Sequence, residues 1–382
     1  MIHGKGTDSP AEIRVGIVGA GKISQVHARV LRSIPGVTVS AVCDVDGQRA
    51  EALRARWNFP QAFDSLPQML RRCKLDAVQI LLPPALHAAA ALESMEAGCD
   101  VLIEKPVAVT LAECRSLRNS ASRLGRIVGV NHNGVYFPVL VRLFDLVRSR
   151  RLGAVQHVSV CFKQPLRQLK DGMHDQWLFR DPGNLILELG PHPLSWIHRL
   201  LGNVQTASVL PSGKATLTTG AAFFHDWQIG MLCERGSAHL FLSVGDRFPE
   251  VSVTVYGEDA TAVADVKAAT LTVTEKSRFM MPAVDHLVAA VRNSVRLMGN
   301  CAANLKDFAL GILKPHPLAD HYFSSMLTSV TGFYEAVQRR GPAPVDLEQG
   351  TNVVSACQQI IRAGRAVSTD SQVEEHELAS IR

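Results

Sequence analysis

The stretch IRVGIVGAGKISQVHARVLRSIPGVTVSAVCD, residues 13–44, decides the fold. It opens on an apolar run at residues 13–18, short enough for a strand buried on both faces. The turn Gly19-Ala20-Gly21-Lys22-Ile23-Ser24 follows directly, and Ile23, Val26, Val30, Leu31 and Ile34 then recur at helical spacing. A second apolar strand at residues 37–43 ends on Asp44. Strand, glycine turn, helix, strand and acid is the order that a dinucleotide site requires. Gly19 permits the tight turn, and Gly21, without a Cβ, lets backbone N–H groups approach a pyrophosphate. The helix N-terminus, opened by Lys22 and Ile23, adds its partial positive charge. Ser24 takes the place of a third glycine or alanine, and its small side chain still permits close helix–strand contact.

Asp44 bears on which cofactor is bound. A carboxylate at the tip of the second strand hydrogen-bonds a ribose 2′-OH and repels a 2′-phosphate. Asp46 adds a second negative charge and Arg49 is the close counterweight, so NAD is expected over NADP. The alternative, Asp44 as a turn or helix-capping residue, is compatible with the same fold.

Working outward, the alternation of strand and helix continues. Helices are expected at residues 46–57, from about 64 to 73 with Asp64 or Ser65 as cap, at 85–98 and at 111–124. Strands are expected at residues 59–63, 76–82, 100–103 and 127–130. Strands alternating with helices give a doubly wound parallel sheet, a Rossmann domain over residues 12–130. Beyond it the pattern changes. A helix at 138–150 and a strand at 155–162 precede short β-rich runs at 221–224, 239–244, 251–256 and 271–274. Residues 281–340 are helical, broken by Pro315 and Pro317, and a last helix is expected at 351–363. The second domain, residues 131–367, is therefore α+β on a mixed or antiparallel sheet, with flexible tails at 1–11 and 368–382.

With 382 residues, 47% hydrophobic and 20% charged, the chain has the length for two domains and the composition for a large core. The formal charge of +5 is small, and the arginine pairs are scattered without interleaved aromatics, so nucleic acid is not an expected partner. Eight dispersed cysteines form no C-x-x-C pair; no metal is expected, and they read as buried thiols in a reducing compartment. The N-terminus lacks the apolar core of a signal peptide and no stretch is long enough to span a bilayer, which points to a cytoplasmic protein without a membrane partner.

Two stretches carry candidate chemistry. Glu104-Lys105-Pro106 stands at the carboxyl end of an expected parallel strand, where ligands of open α/β sheets bind. In the other domain, residues 183–192 read GNLILELGPH, and Glu188 and His192, four apart, share one face of a helical turn. A carboxylate beside an imidazole orients it and raises its basicity.

At these residues the chain resembles the Gfo/Idh/MocA oxidoreductases. The resemblance rests on GAGKIS, on LPPALH at residues 82–87, on AGCDVLIEKPVA, on ELGPHPLSWIHRLLG and on FYEAVQRRGPAPVDLEQG, and covers residues 12 to 365. It implies NAD(P)-dependent oxidation or reduction at a carbinol carbon of a sugar, sugar nucleotide or cyclitol. It further implies homo-oligomers, dimers or tetramers, formed through the open sheet of the second domain. The family's lysine falls on Lys105, followed by a cis peptide to Pro106, and its histidine falls on His192. The family's aspartates around that histidine are replaced by Glu188 and Ser195; in the earlier T-P-N-x-x-H pattern Pro83 and His87 match, whereas Leu82 and Pro84 depart. The resemblance places Pro83, His87, Glu104 and Lys105 near the cofactor, and Asn133, Trp177, Arg180 and Ser195 near substrate. In the expected mechanism His192 takes the hydroxyl proton, Lys105 stabilises the developing alkoxide and Glu188 orients His192. The replacements at 188 and 195 leave a second reading, a cofactor-bound regulator without turnover.

Overall fold

The computed structural model describes residues 12–220, 222–245, 248–275, 281–313 and 320–380, with side chains after residue 366 left aside. The expected tail at residues 1–11 and the break at Pro315 and Pro317 lie outside the described residues. Two compact units emerge, one of residues 1–133 with 326–351, the other of residues 134–325 with 352–382.

In the first unit β1 (Ile13–Val18), α1 (Lys22–Leu31), β2 (Val37–Cys43), α2 (Gly47–Trp57), β3 (Gln61–Phe63), α3 (Leu66–Arg72), β4 (Ala77–Ile80), α4 (His87–Glu96), β5 (Asp100–Glu104), α5 (Leu111–Leu124) and β6 (Val128–Asn131) alternate as expected. The sheet order is β3-β2-β1-β4-β5-β6, and every pairing is parallel. This is the doubly wound order whose ligand crevice lies beyond the strands' carboxyl ends. The apolar runs are inaccessible: Val15, Ile17, Val78, Ile80, Val101 and Ile103 have no exposed surface. Capping follows local chemistry. Thr110 and Glu113 form a reciprocal capping box on α5, whereas Ser65, at the N-cap of α3, makes no side-chain bond there.

In the second unit α6 (Pro138–Arg148) and β7 (Val155–Lys163) lead through α7 (Arg167–Lys170) to α8 (Asn184–Leu189) and α9 (Pro191–Leu201). The strands β8 (Val204–Thr216), β9 (Ala222–Cys233), β10 (Gly236–Ser243), β11 (Glu250–Gly257), β12 (Ala260–Asp265) and β13 (Thr270–Glu275) follow, then α10 (Pro282–Leu313). Their order is β13-β12-β11-β7-β10-β9-β8, antiparallel except for the parallel β7–β10 pair. The short β-rich runs are thus parts of longer strands. Pro211 sits within β8, which a sheet edge tolerates because no second neighbour needs its missing N–H. Val158, Val160, Leu240, Leu242, Val253 and Val255 alternate onto one buried face.

The helix α11 (His321–Arg339) begins in the second unit and finishes in the first. Residues 326–351 dock there through long-range bonds. Tyr334 OH accepts from Gln79, Arg340 pairs with Asp100 at 2.5 Å, and Gly129 bridges to Asp346. The last helix, α12 (Leu347–Ser380), extends beyond the expected one at both ends. All eight cysteines are free, and the expectation of buried thiols fails at Cys161, which is half-buried, and at Cys301, which is exposed on α10. No helix among the described residues is long and apolar enough to cross a membrane.

Candidate active site

The site of the first unit is assembled at the carboxyl edge of its sheet. Gly19 has φ 103°, and a Cβ on it would stand 2.5 Å from the Leu81 carbonyl oxygen, so both the turn and the close approach to the end of β4 require glycine. Gly21 behaves differently. Its φ of −74° suits any residue, and a Cβ there would meet nothing within 4 Å. The protein's own packing does not demand glycine at 21, and the space above it is open. Gly21 also gives α1 no capping side chain, and within the first turn the Ser24 N–H is bonded to the Gly21 carbonyl at 3.2 Å. Ser24 is buried, its hydroxyl donating to the Gly21 carbonyl at 2.6 Å, which accommodates its departure from glycine. Lys22 is exposed and Ile23 half-buried at the helix start.

Asp44 is 8% exposed and ties the two halves of the crevice together. Its Oδ2 accepts the Ala20 N–H at 2.7 Å, and its Oδ1 accepts the Asp46 N–H at 2.9 Å. The site-residue and turn readings of Asp44 are thus not exclusive, because each oxygen keeps a lone pair. Arg49 is spent on Asp46, which caps α2 and is held below its ordinary pKa by the Arg49 N–H and guanidinium. These features fit a dinucleotide: an open glycine turn, an uncapped helix start and a carboxylate on the second strand.

The Glu104-Lys105-Pro106 element lies one strand further, with a cis Lys105–Pro106 bond. Glu104 is the hub of a buried polar chain. Its Oε1 lies 2.8 Å from His27 Nε2 and accepts from Asn131 Nδ2 at 2.5 Å, while Oε2 accepts the Lys105 N–H at 3.2 Å. His27 Nδ1 is 2.7 Å from Gln79 Oε1, Gln79 donates to Tyr334 OH, and Ser329 donates to Asn131. Burial opposes the Glu104 charge, but His27, Asn131 and Lys105 outweigh it and hold the carboxyl down at about 2. A charged, fully bonded carboxylate thus underlies the half-buried Lys105. His87, 1% exposed, has ring nitrogens 2.7 Å from both the Pro106 and Leu82 carbonyl oxygens. It braces the two strand-end turns instead of presenting its ring to a ligand, and burial lowers its proton affinity. Pro83 opens the adjoining 3₁₀ turn at Pro84–Leu86, and Asn133, 4% exposed, opens another at Asn133–Tyr136.

His27, Gln79, Asn131 and Tyr334 escaped sequence reading as a network. The signal was present in part: His27 falls on the buried stripe of α1, and Gln79 interrupts an apolar strand.

The remaining candidates belong to the second unit. Gly190, at φ −55° and ψ −37°, joins α8 to α9 by an almost continuous turn, and a Cβ on it would lie 2.3 Å from the Ile186 carbonyl oxygen. Glu188 and His192, both half-buried, flank this junction. The His192 ring stacks on Phe162 of β7, centroids 6.2 Å apart and planes at 11°, and Phe162 also leans on Trp196. Phe162 is a second contact the sequence reading missed. Ser195 is buried, with its hydroxyl donating to the His192 carbonyl at 2.7 Å, so it steadies the start of α9. Trp177 is half-buried in a 3₁₀ turn, and Arg180 is exposed beyond it. Among the described residues, no group of three His, Cys, Asp or Glu could hold a metal ion.

A family model described as an oxidoreductase family with an NAD-binding Rossmann fold matches residues 13–132. The chain is 34% identical over 208 residues to D-glucoside 3-dehydrogenase of Escherichia coli, covering 53% of this chain and 57% of that one. It is 28% identical over 238 residues to the rhizopine catabolism protein MocA of Rhizobium meliloti, covering 62% and 72%. Several of the curated relatives are thus matched over only 54–59% of their length. Among solved structures, levoglucosan dehydrogenase with NADH and levoglucosan superimposes at TM-score 0.76 and 14% identity, over 93% of this chain and 98% of that one. The UDP-N-acetylglucosamine 3-dehydrogenase GnnA of Acidithiobacillus ferrooxidans does so at 0.69 and 20%, over 92% and 97%. These two share the fold. With the glycine turn, Asp44 and the Glu104-Lys105-Pro106 edge in place, residues 13–132 match the NAD-binding Rossmann domain of the Gfo/Idh/MocA oxidoreductases.

Proposed function

We propose that this protein is an NAD-dependent dehydrogenase acting on a carbinol carbon of a sugar, sugar nucleotide or cyclitol. The observation that carries the reading is Lys105, standing on the ionised Glu104 at the same sheet edge as the open glycine turn. The names of the relatives, a glucoside dehydrogenase and a sugar-nucleotide dehydrogenase among them, support a sugar-type substrate. The turn Gly19–Ser24 and the first N–H groups of α1 would hold the pyrophosphate and Asp44 the adenosine ribose; a nicotinamide bound there supplies a hydride acceptor or donor. The Asp44 carboxylate favours NAD over NADP by accepting from a ribose hydroxyl and repelling a phosphate.

Lys105 donates a hydrogen bond to the carbinol oxygen and stabilises its negative charge as the C–H bond weakens. His192 takes the hydroxyl proton in oxidation and returns it in reduction, with its ring plane set by Phe162. Glu188, one helical turn before His192, orients it. Asn133, Trp177 and Arg180 form the substrate side. The reading treats residues 12–130 as the nucleotide domain and 131–367 as the substrate domain of a cytoplasmic homo-oligomer. The test is absorbance at the reduced-nicotinamide band with NAD or NADP and a panel of free sugars, nucleotide sugars and inositols. Growth of the band with one class and NAD is expected; a flat trace across the whole panel, in both directions, removes the dehydrogenase assignment.

A further inference from the structure

Helix α10 turns its polar side inward and its apolar side to solvent. Facing the sheet, the Asn293 carbonyl accepts the Val273 N–H, Arg296 donates to the Val273 carbonyl and Asn304 donates to the Ala268 carbonyl. Asn300 accepts from Arg142 of α6. The physical reason is that β13 is an edge strand, whose unpaired backbone groups need polar partners. The apolar residues are left outside: Leu287, Val291, Val295, Met298 and Leu305 are between 57% and 68% exposed.

Their spacing is that of a repeating helix face. Val284, Val291, Met298 and Leu305 recur at seven-residue steps, and Leu287, Ser294 and Cys301 occupy the intervening positions three residues later. This is the heptad of a helix that packs against another helix. The stripe exposes on the order of 500 Å² of apolar surface, at the upper end of what a monomer leaves uncovered. Two copies would bury about 1,000 Å² from these side chains alone, the threshold for a specific interface.

We propose that α10 pairs with α10 of a second copy of this chain, antiparallel about a two-fold axis at the level of Arg296. That register stacks Val291 on Cys301, Ser294 on Met298 and Leu287 on Leu305 of the second copy, and symmetry repeats each layer. A lipid surface fits less well, since a membrane-lying helix flanks its apolar stripe with Lys and Arg. Here Val288, Val295 and Ala302 flank one side, and Ala290, Leu297 and Asn304 the other.

The experiment is sedimentation of the full chain at tens of micromolar, wild type beside Met298→Glu, with oxidative cross-linking of Val291→Cys. Met298 is 68% exposed, so the glutamate leaves the subunit folded, checked by a melting temperature within a few degrees of wild type. A twofold fall in mass in Met298→Glu is expected. Under a mild disulfide oxidant, Val291→Cys should form a covalent dimer through Cys301 of the second copy. Wild type should not, because antiparallel pairing sets the two Cys301 residues about 15 Å apart along the helices. The proposal is overturned by a monomeric wild type, by an unchanged mass in Met298→Glu, or by Cys301 cross-links in wild type, which require parallel helices. Sedimentation with phosphatidylcholine–phosphatidylserine vesicles that Met298→Glu abolishes, without self-association, would assign the stripe to lipid and likewise overturn it.

Discussion

Removing the His27 ring tests whether the buried chain beneath Lys105 is what holds the sheet edge in order. The ring lies 2.8 Å from the Glu104 carboxylate and 2.7 Å from the Gln79 carbonyl, with no exposed surface. His27→Ala leaves both oxygens without that partner and opens a cavity. Bringing Glu104 from its ordinary 4.5 down to about 2 corresponds to about 3 kcal/mol of stability at neutral pH. Losing the ring removes the first of the three groups that hold the carboxyl down and should cost up to about 3 kcal/mol, at most roughly 6–12 °C in melting temperature for a unit of this size. The sign with pH follows from a depressed carboxyl. Its stabilisation is fully present above the unfolded pKa of about 4.5 and is lost as pH falls toward about 2. Urea midpoints of wild type and variant at pH 7, 5 and 4 read this directly. A gap that is widest at pH 7 and narrows below 4.5 is expected. A gap under about 1 kcal/mol at pH 7, or one that stays constant with pH, refutes the idea that His27 keeps Glu104 charged.

Lys105→Met removes the ammonium proposed to stabilise the carbinol oxygen. It should lower kcat by about 10²- to 10³-fold while NADH affinity, read by fluorescence titration, stays within about twofold. Equal kcat in the two proteins would exclude Lys105 from the chemistry. Asp44→Ala deletes the acceptor of the Ala20 and Asp46 N–H groups together with the proposed ribose partner. The ratio of kcat/KM for NAD over NADP should fall by about tenfold or more, and an unchanged ratio would leave Asp44 as a turn-holding residue only.

The order of residue types along residues 13–44 was enough to specify the first sheet, its glycine turn and the acid at the second strand tip. Burial periodicity and the φ demands of glycine act over a few residues, so they can be read locally. The same holds for Lys105 at the end of β5 and for Glu188 and His192 one helical turn apart. Tertiary structure alone decided which polar groups meet. Gln79 and Tyr334 are bonded across 255 residues, and Asn131 and Ser329 across 198, distances at which no local pattern carries information. The return of residues 326–351 to the first unit has the same origin, since Arg340 finds Asp100 only after the sheet exists. For α10, periodicity announces an apolar stripe, but which way it points depends on the unpaired edge of β13. Satisfying those backbone groups claims the polar face of the helix, and the apolar face is left to the solvent.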